Sequence, residues 1–196
     1  MVSSPIAADH AARAKRRILI ATSLVTTLIM LDSNIVAVSL PSIARTLGAG
    51  FADIEWVISA YVLSFATLVL SAGSYADRHG RKRTTLIGLV VFAVASGRCG
   101  LAQSALMLDL ARALQGVGAS LLLTAALAII NHAFAEQERA KAYAFWGTCV
   151  GIAITGARSS AALSRISSVG VGPSCVGEVF GYGLRAHLCP LFMGKV

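Results

Sequence analysis

Charge is scarce in this sequence, and the scarcity excludes a soluble domain of ordinary make-up. Charged residues are 13% of the chain and hydrophobic residues 56%, with a mean hydropathy of +0.74, whereas soluble domains carry about 25% charged residues. No H-E-x-x-H, G-x-S-x-G or G-x-x-x-x-G-K-[ST] occurs, so the common hydrolase and nucleotide-binding signatures are missing and no constellation supports an enzyme or an ATPase. The four cysteines, Cys99, Cys149, Cys175 and Cys189, form no C-x-x-C pair and no metal-ligand spacing with a histidine, so neither a metal nor another cofactor is expected. His10, His79, His132 and His187 are isolated, which makes a structural or solvent role the default for each. Acidic residues are few as well, 9 against 17 basic ones, for a net charge of +8. The positive charges cluster at Arg13 to Arg17 and at Arg78 to Arg83, flanking apolar runs without interleaved surface aromatics. Membrane lipid is therefore the expected partner, and nucleic acid is not.

What is present is a succession of apolar segments. Residues 1–17 are polar and basic and read as a cytoplasmic N-terminal tail. Ile18 to Leu40, which would rise about 34 Å as a helix, is long enough for the hydrocarbon core. It carries Asp32 and lacks an A-x-A cleavage site, so it is a retained first span and not a secretory leader. Pro41 is expected to stop it. Ser42 to Asp53 suits an external loop, and Ile54 to Ala72 a second span, with Trp56 and Tyr61 near its outer end as interface anchors. Thr84 to Ala102 is apolar except for Arg98, Leu106 to Ile130 is a fourth span, and Asn131 to Lys141 is a polar link to a fifth span starting near Ala142. The bias of Lys and Arg places the N-terminus and the 73–83 loop on the cytoplasmic side of the cell membrane. Residues 157–196 contain no apolar run of spanning length and read as an irregular, frame-shifted or disordered tail. The fold class is thus an all-α membrane protein of about four to five transmembrane helices over residues 18–156.

Four stretches carry candidate chemistry or packing signals. Asp32 lies mid-span, where an unpaired charge is costly, so it should face the bundle interior or a water-filled cavity and serve as a proton acceptor. A carboxyl merely hydrogen-bonded to its neighbours is the plainer alternative. Asp109 and Arg112, three residues apart on one helix face, can pair with each other. Gly116 and Ser120 would let another helix approach closely. The connector Gly73-Ser-Tyr-Ala-Asp-Arg-His-Gly-Arg-Lys-Arg83 combines glycines that permit a sharp reversal with Asp77, which can accept hydrogen bonds from Arg78 or Arg81. Gly147 and Gly151 form a GxxxG pair followed by Gly156, a pattern common in helix packing.

In this order the motifs resemble those of the major facilitator superfamily. Gly73, Asp77, Arg78, Gly80, Arg81 and Lys82 match its signature loop between helices two and three, and Arg112, Gln115, Gly116 and Gly118 match its fourth-helix motif. Leu31-Asp-Ser-Asn-Ile-Val-Ala-Val-Ser-Leu-Pro41 resembles the first-helix signature of the drug:proton antiporter group, the multidrug efflux type with fourteen helices. Asn34 and Ala37 replace that signature's Thr and Asn. Trp146 to Gly156, with Gly147, Gly151 and Gly156, is similar to the opening of the fifth-helix antiporter motif, but Ala157 and Arg158 follow where Gly-Pro-x-x-Gly-Gly would continue. The resemblance implies an N-terminal part only of such a transporter. Asp32 and Arg112 would couple protons to a small lipophilic substrate, and Asp77, Arg78 and Arg81 would form an inner-side latch. It also implies that a truncated chain is inactive unless another helical half, or self-association, completes the cavity. The alternative is a non-transporting membrane interaction protein or a degenerate gene product.

Overall fold

The computed structural model describes residues 5–47 and 50–164, and the elements within them are five helices: α1 (Pro5–Leu47), α2 (Phe51–His79), α3 (Arg81–Gly100), α4 (Ala105–Ala133) and α5 (Glu136–Ser164). Each is longer than its apolar run. α1 begins well before Ile18 because Pro5 has the preset φ of a first helical residue and the alanines, lysine and arginines after it are strong helix formers. Arg13 also donates to Asp9 one turn earlier, at 2.6 Å. The basic tail is therefore a helical extension of the first span. Nor does Pro41 stop α1, which carries it internally and runs on to Leu47; Pro removes one backbone hydrogen bond, a loss that helices of this length tolerate where neighbouring groups can take over. The expected loop of residues 42–53 shrinks accordingly to the few residues before Phe51. There the Asp53 carboxylate accepts from the Gly50 N–H at 2.9 Å and caps α2.

The basic connector is helix for most of its length. Gly73 to His79 are the last turns of α2, Gly80 alone makes the reversal at φ +90°, and Arg81 already belongs to α3. An L side chain at Gly80 would be strained whatever the space around it. Ser104 caps α4 by accepting from the Met107 N–H at 3.3 Å. The link to α5 is only Phe134–Ala135, braced by Arg139 Nε donating to the Phe134 carbonyl and Tyr143 donating to Asn131. α5 continues past Gly156 to Ser164, and the remainder of the expected tail, 165–196, lies outside the described residues.

α4 is the middle of the bundle. Its buried positions, among them Arg112, Gly116, Gly118, Ser120, Leu122 and Ala125, cover more than half of its circumference, as expected of a helix packed on more than one side. α2 and α3 pack chiefly on α4 and little on each other, while α1 lies against α4 and α5. Val25, Ile29, Tyr61, Leu89, Phe92, Ala119 and Leu122 form one core drawn from α1 to α4. The outside is apolar as well: Leu70 is 82% exposed and Ile152 67%, a surface suited to acyl chains and not to water. Two of the described helices, over Glu55–His79 and Ala105–Ala133, are long and apolar enough to cross a membrane by length and composition alone.

Candidate functional site: a buried Asp–Arg–Gln cluster

Asp32 from α1 and Arg112 with Gln115 from α4 meet inside the bundle, 8%, 2% and 1% exposed. Arg112 Nη1 donates to Asp32 Oδ2 at 2.9 Å and to Gln115 Oε1 at 2.7 Å. Gln115 Nε2 donates to Asp32 Oδ1 at 2.7 Å. Both carboxylate oxygens are therefore engaged, one by a cation and one by a neutral amide. Arg112 and Gln115 are three residues apart on α4, so one helix face presents both groups to a single carboxylate. The Gln115 amide has only one useful orientation, because its oxygen accepts from Arg112 and its nitrogen must then face Asp32. From α3, Cys99 Sγ also donates to Gln115 Oε1, at 3.6 Å.

The pairing differs from the sequence expectation in one respect. Arg112 forms its ion pair with Asp32, 80 residues away, and not with Asp109 on its own helix. Asp109 Oδ1 is buried without a hydrogen-bond partner among the described residues. The two share a helix face at i, i+3, but Arg112 is turned to Asp32, which leaves its own Nε and Asp109 Oδ1 without a partner among the described residues.

Tyr61 is a site residue that the sequence reading misses. It is 7% exposed and faces the interior, whereas Trp56, the other expected anchor, is 59% exposed. Its ring lies against the Arg112 guanidinium, 4.4 Å from ring centroid to Cζ, within cation–π range. The signal is available: Val57, Tyr61, Phe65, Leu68, Ala72 and Ala76 fall at helical spacing, and Tyr61 lies within that stripe.

The fourth-helix glycines are contact points. A Cβ on Gly116 would lie 2.5 Å from the Tyr61 carbonyl oxygen, and one on Gly118 would lie 2.7 Å from the Phe92 backbone nitrogen. Gly116 therefore admits the backbone of α2 and Gly118 the backbone of α3. Gly88 on α3 faces Gly118, its missing Cβ 3.1 Å from the Gly118 carbonyl, a role the sequence reading did not assign. The other motif glycines behave differently. Nothing lies within 4 Å of a Cβ at Gly73, Gly147, Gly151 or Gly156, so within the described residues the GxxxG pair of α5 packs on no helix.

The basic connector is separate from this cluster. Asp77 and Arg78 are exposed, Arg81 is half-buried, Lys82 is exposed, and Asp77 makes no ion pair with Arg78 or Arg81 among the described residues. Elsewhere at the helix ends Lys15 of α1 bonds Glu138 of α5 at 2.5 Å and lies over the Phe134 ring. That hydrogen bond, with the ammonium charge behind it, holds the Glu138 carboxyl below the usual carboxylate range. On the other flank, Trp146 Nε1 donates to Thr26 Oγ1 at 3.1 Å and ties α5 to α1.

Comparison with known proteins bears on the family and the fold. Over 138 residues the chain is 41% identical to the multidrug resistance protein Stp of Mycobacterium tuberculosis (strain CDC 1551 / Oshkosh), covering 70% of this chain and 26% of that protein. It is 45% identical over 125 residues to the puromycin resistance protein pur8 of Streptomyces alboniger, covering 63% and 25%. The chain thus spans about a quarter of the length of these relatives. Among solved structures, a bacterial homolog of the human lysosomal transporter Spinster, inward-facing and unoccupied, superposes with a TM-score of 0.72 at 20% identity, covering 99% of this chain and 44% of that one. At that identity the likeness concerns the fold alone. The sequence profile of the Major Facilitator Superfamily matches residues 22–168, running past Gly156, where the motif likeness stops. The chain belongs to the Major Facilitator Superfamily.

Proposed function

We propose that this chain supplies the proton-coupling helices of an efflux transporter for drug-like lipophilic molecules. The observation that carries the reading is the Asp32–Arg112–Gln115 cluster: a carboxylate held by a buried arginine and a glutamine amide, inside a bundle whose outer surface suits lipid. A proton on Asp32 would cancel its charge and release Arg112 from the ion pair. That change would bias the bundle toward a second arrangement, since a buried charge that loses its partner must find another. The names of the relatives support the class of cargo, and the substrate path would lie between this part and a second helical half. By itself the chain would not export, because half a cavity leaves polar groups facing lipid.

The basic first turns of α1, the Gly80 reversal and the first turns of α5 share one end of the bundle, which supports a cytoplasmic N-terminus in the cell membrane. Asp77, Arg78 and Arg81, not paired with one another among the described residues, would serve as an inner-side latch toward the other half. The test is a chimera in which this chain's helices replace the matching part of Stp, assayed for drug export driven by a proton gradient. The parent chimera should export and its D32N form should not; equal export by the two would sink the proposal. One observation favours a second reading, a membrane interaction protein: Gly147 and Gly151 are exposed and contact no helix among the described residues. A defined homodimer crosslinked through α5 would support it.

A further inference from the structure

Arg112 is a buried cation with more than one attachment, and the attachments respond differently to a proton. The ion pair to Asp32 at 2.9 Å disappears as an ion pair when Asp32 is neutral, whereas the bond to Gln115 and the Tyr61 ring at 4.4 Å do not depend on it. Arg112 Nε has no hydrogen-bond partner among the described residues. With Asp32 protonated, the guanidinium would therefore have only neutral partners: the carboxyl oxygen, one amide oxygen and one aromatic face. A desolvated cation–π contact is worth about 2 kcal/mol, so the ring becomes a principal support of the charge in that state.

We infer that Tyr61 is a positioning residue for the proton step, its ring holding the Arg112 charge when Asp32 gives it up. This rests on the proton-coupling reading above and deepens it. The ring's place is fixed by the helix contact described earlier: the Tyr61 carbonyl oxygen sits 2.5 Å from where a Cβ on Gly116 would be, one turn beyond Arg112. The charge of Arg112 is thereby referred to α2 as well as to α1, and a movement of α2 on α4 would change what the arginine rests on. The surroundings add few other titratable groups. Besides Asp32 and Arg112 themselves, the groups that interact with the pair are the Tyr61 phenol from α2 and the Cys99 thiol from α3. Asp109 lies on α4 three residues before Arg112 and makes no ion pair with it among the described residues.

The sign follows from which state needs the ring more. Removing the ring raises the energy of both states, but more when Asp32 is neutral, because Arg112 then has no anion. Loss of the ring should therefore disfavour protonation. The experiment is infrared titration of the full chain in lipid nanodiscs, with the Asp32 carboxyl band assigned by its absence in D32N. Y61L, which keeps bulk and loses the ring, should move the midpoint of that band to lower pH by about one unit, a tenfold loss of proton affinity. Y61F, which keeps the ring face, should stay within about threefold of the parent chain, and both variants should retain the parent's helical circular dichroism. A Y61L midpoint that stays put or rises while the parent titrates would overturn the role of Tyr61 alone. A parent chain whose Asp32 band never titrates would overturn the proton-coupling reading, and this inference with it. A midpoint in Y61F that moves as far as in Y61L would assign the effect to the hydroxyl and refute the ring.

Discussion

Replacing Gly116 by alanine adds one methyl group, and the structure states where it must go. The new Cβ would stand 2.5 Å from the Tyr61 carbonyl oxygen, 3.0 Å from Ser64 Cβ and 3.1 Å from the Phe65 nitrogen. Two of these neighbours are backbone atoms of α2, which cannot swing aside as a side-chain tip would, so α2 and α4 must separate along their length. Overpacking of this kind costs about 1–3 kcal/mol, which exceeds the gain of up to about 1 kcal/mol that alanine brings to a helix interior in place of glycine. At Gly147 the same substitution meets nothing within 4 Å, so only the helix gain of about 0.5–1 kcal/mol remains. Reversible unfolding in mixed SDS micelles should therefore show G116A less stable than the parent chain and G147A equal or more stable. If G116A proves as stable as G147A, the close approach of α2 to α4 is not a feature of the folded bundle.

Three further outcomes are expected. Arg112→Met strands the Asp32 carboxylate in the interior, which should cost about 3–5 kcal/mol at neutral pH; stability that is unaffected there would refute the ion pair. Trp146→Phe removes the donor to Thr26, so the loss should be about 0.5–1.5 kcal/mol, read from the same unfolding experiment, and unchanged stability would place the indole elsewhere. The Lys15–Glu138 bond lowers the Glu138 carboxyl, so its contribution is present above the ordinary glutamate value and fades as pH falls through the lower, folded one. Spin labels at Ala14 and Gln137 should separate on that acidification, and already at neutral pH in E138Q; labels that stay close in both cases would show that the bond does not hold the extension.

The succession of helices and the identity of the buried carboxylate are legible without any coordinates, because a charge inside an apolar run has few explanations. Helix ends are less so. The proline rule stops α1 at Pro41, although the helix carries it internally, and hydropathy leaves residues 5–17 without structure, since it gives no weight to alanine-rich helix propensity. It makes a loop of Gly73 to Arg83 because the residues are polar, although only Gly80 has a backbone that leaves the helix. Spacing puts Arg112 beside Asp109, a neighbour in sequence, and the structure pairs it with Asp32, since no spacing rule reveals which helix lies opposite. Tyr61 shows the same limit: its stripe is visible, but the cation beneath it belongs to another helix. The glycines divide for a related reason. Gly116, Gly118 and Gly147 look alike as letters, and only the position of a neighbouring backbone separates a required hydrogen from an incidental one.

The central place of α4 has a consequence for biosynthesis. α2 and α3 share almost no surface until α4 lies between them, and the anion of α1 has no cation until Arg112 has been translated. The ribosome therefore delivers three segments that must wait, side by side in lipid, for the fourth to arrive and gather them. Chains interrupted before Gly116 should remain loose and be open to proteolysis, whereas those released after α4 has entered the bilayer should already hold together.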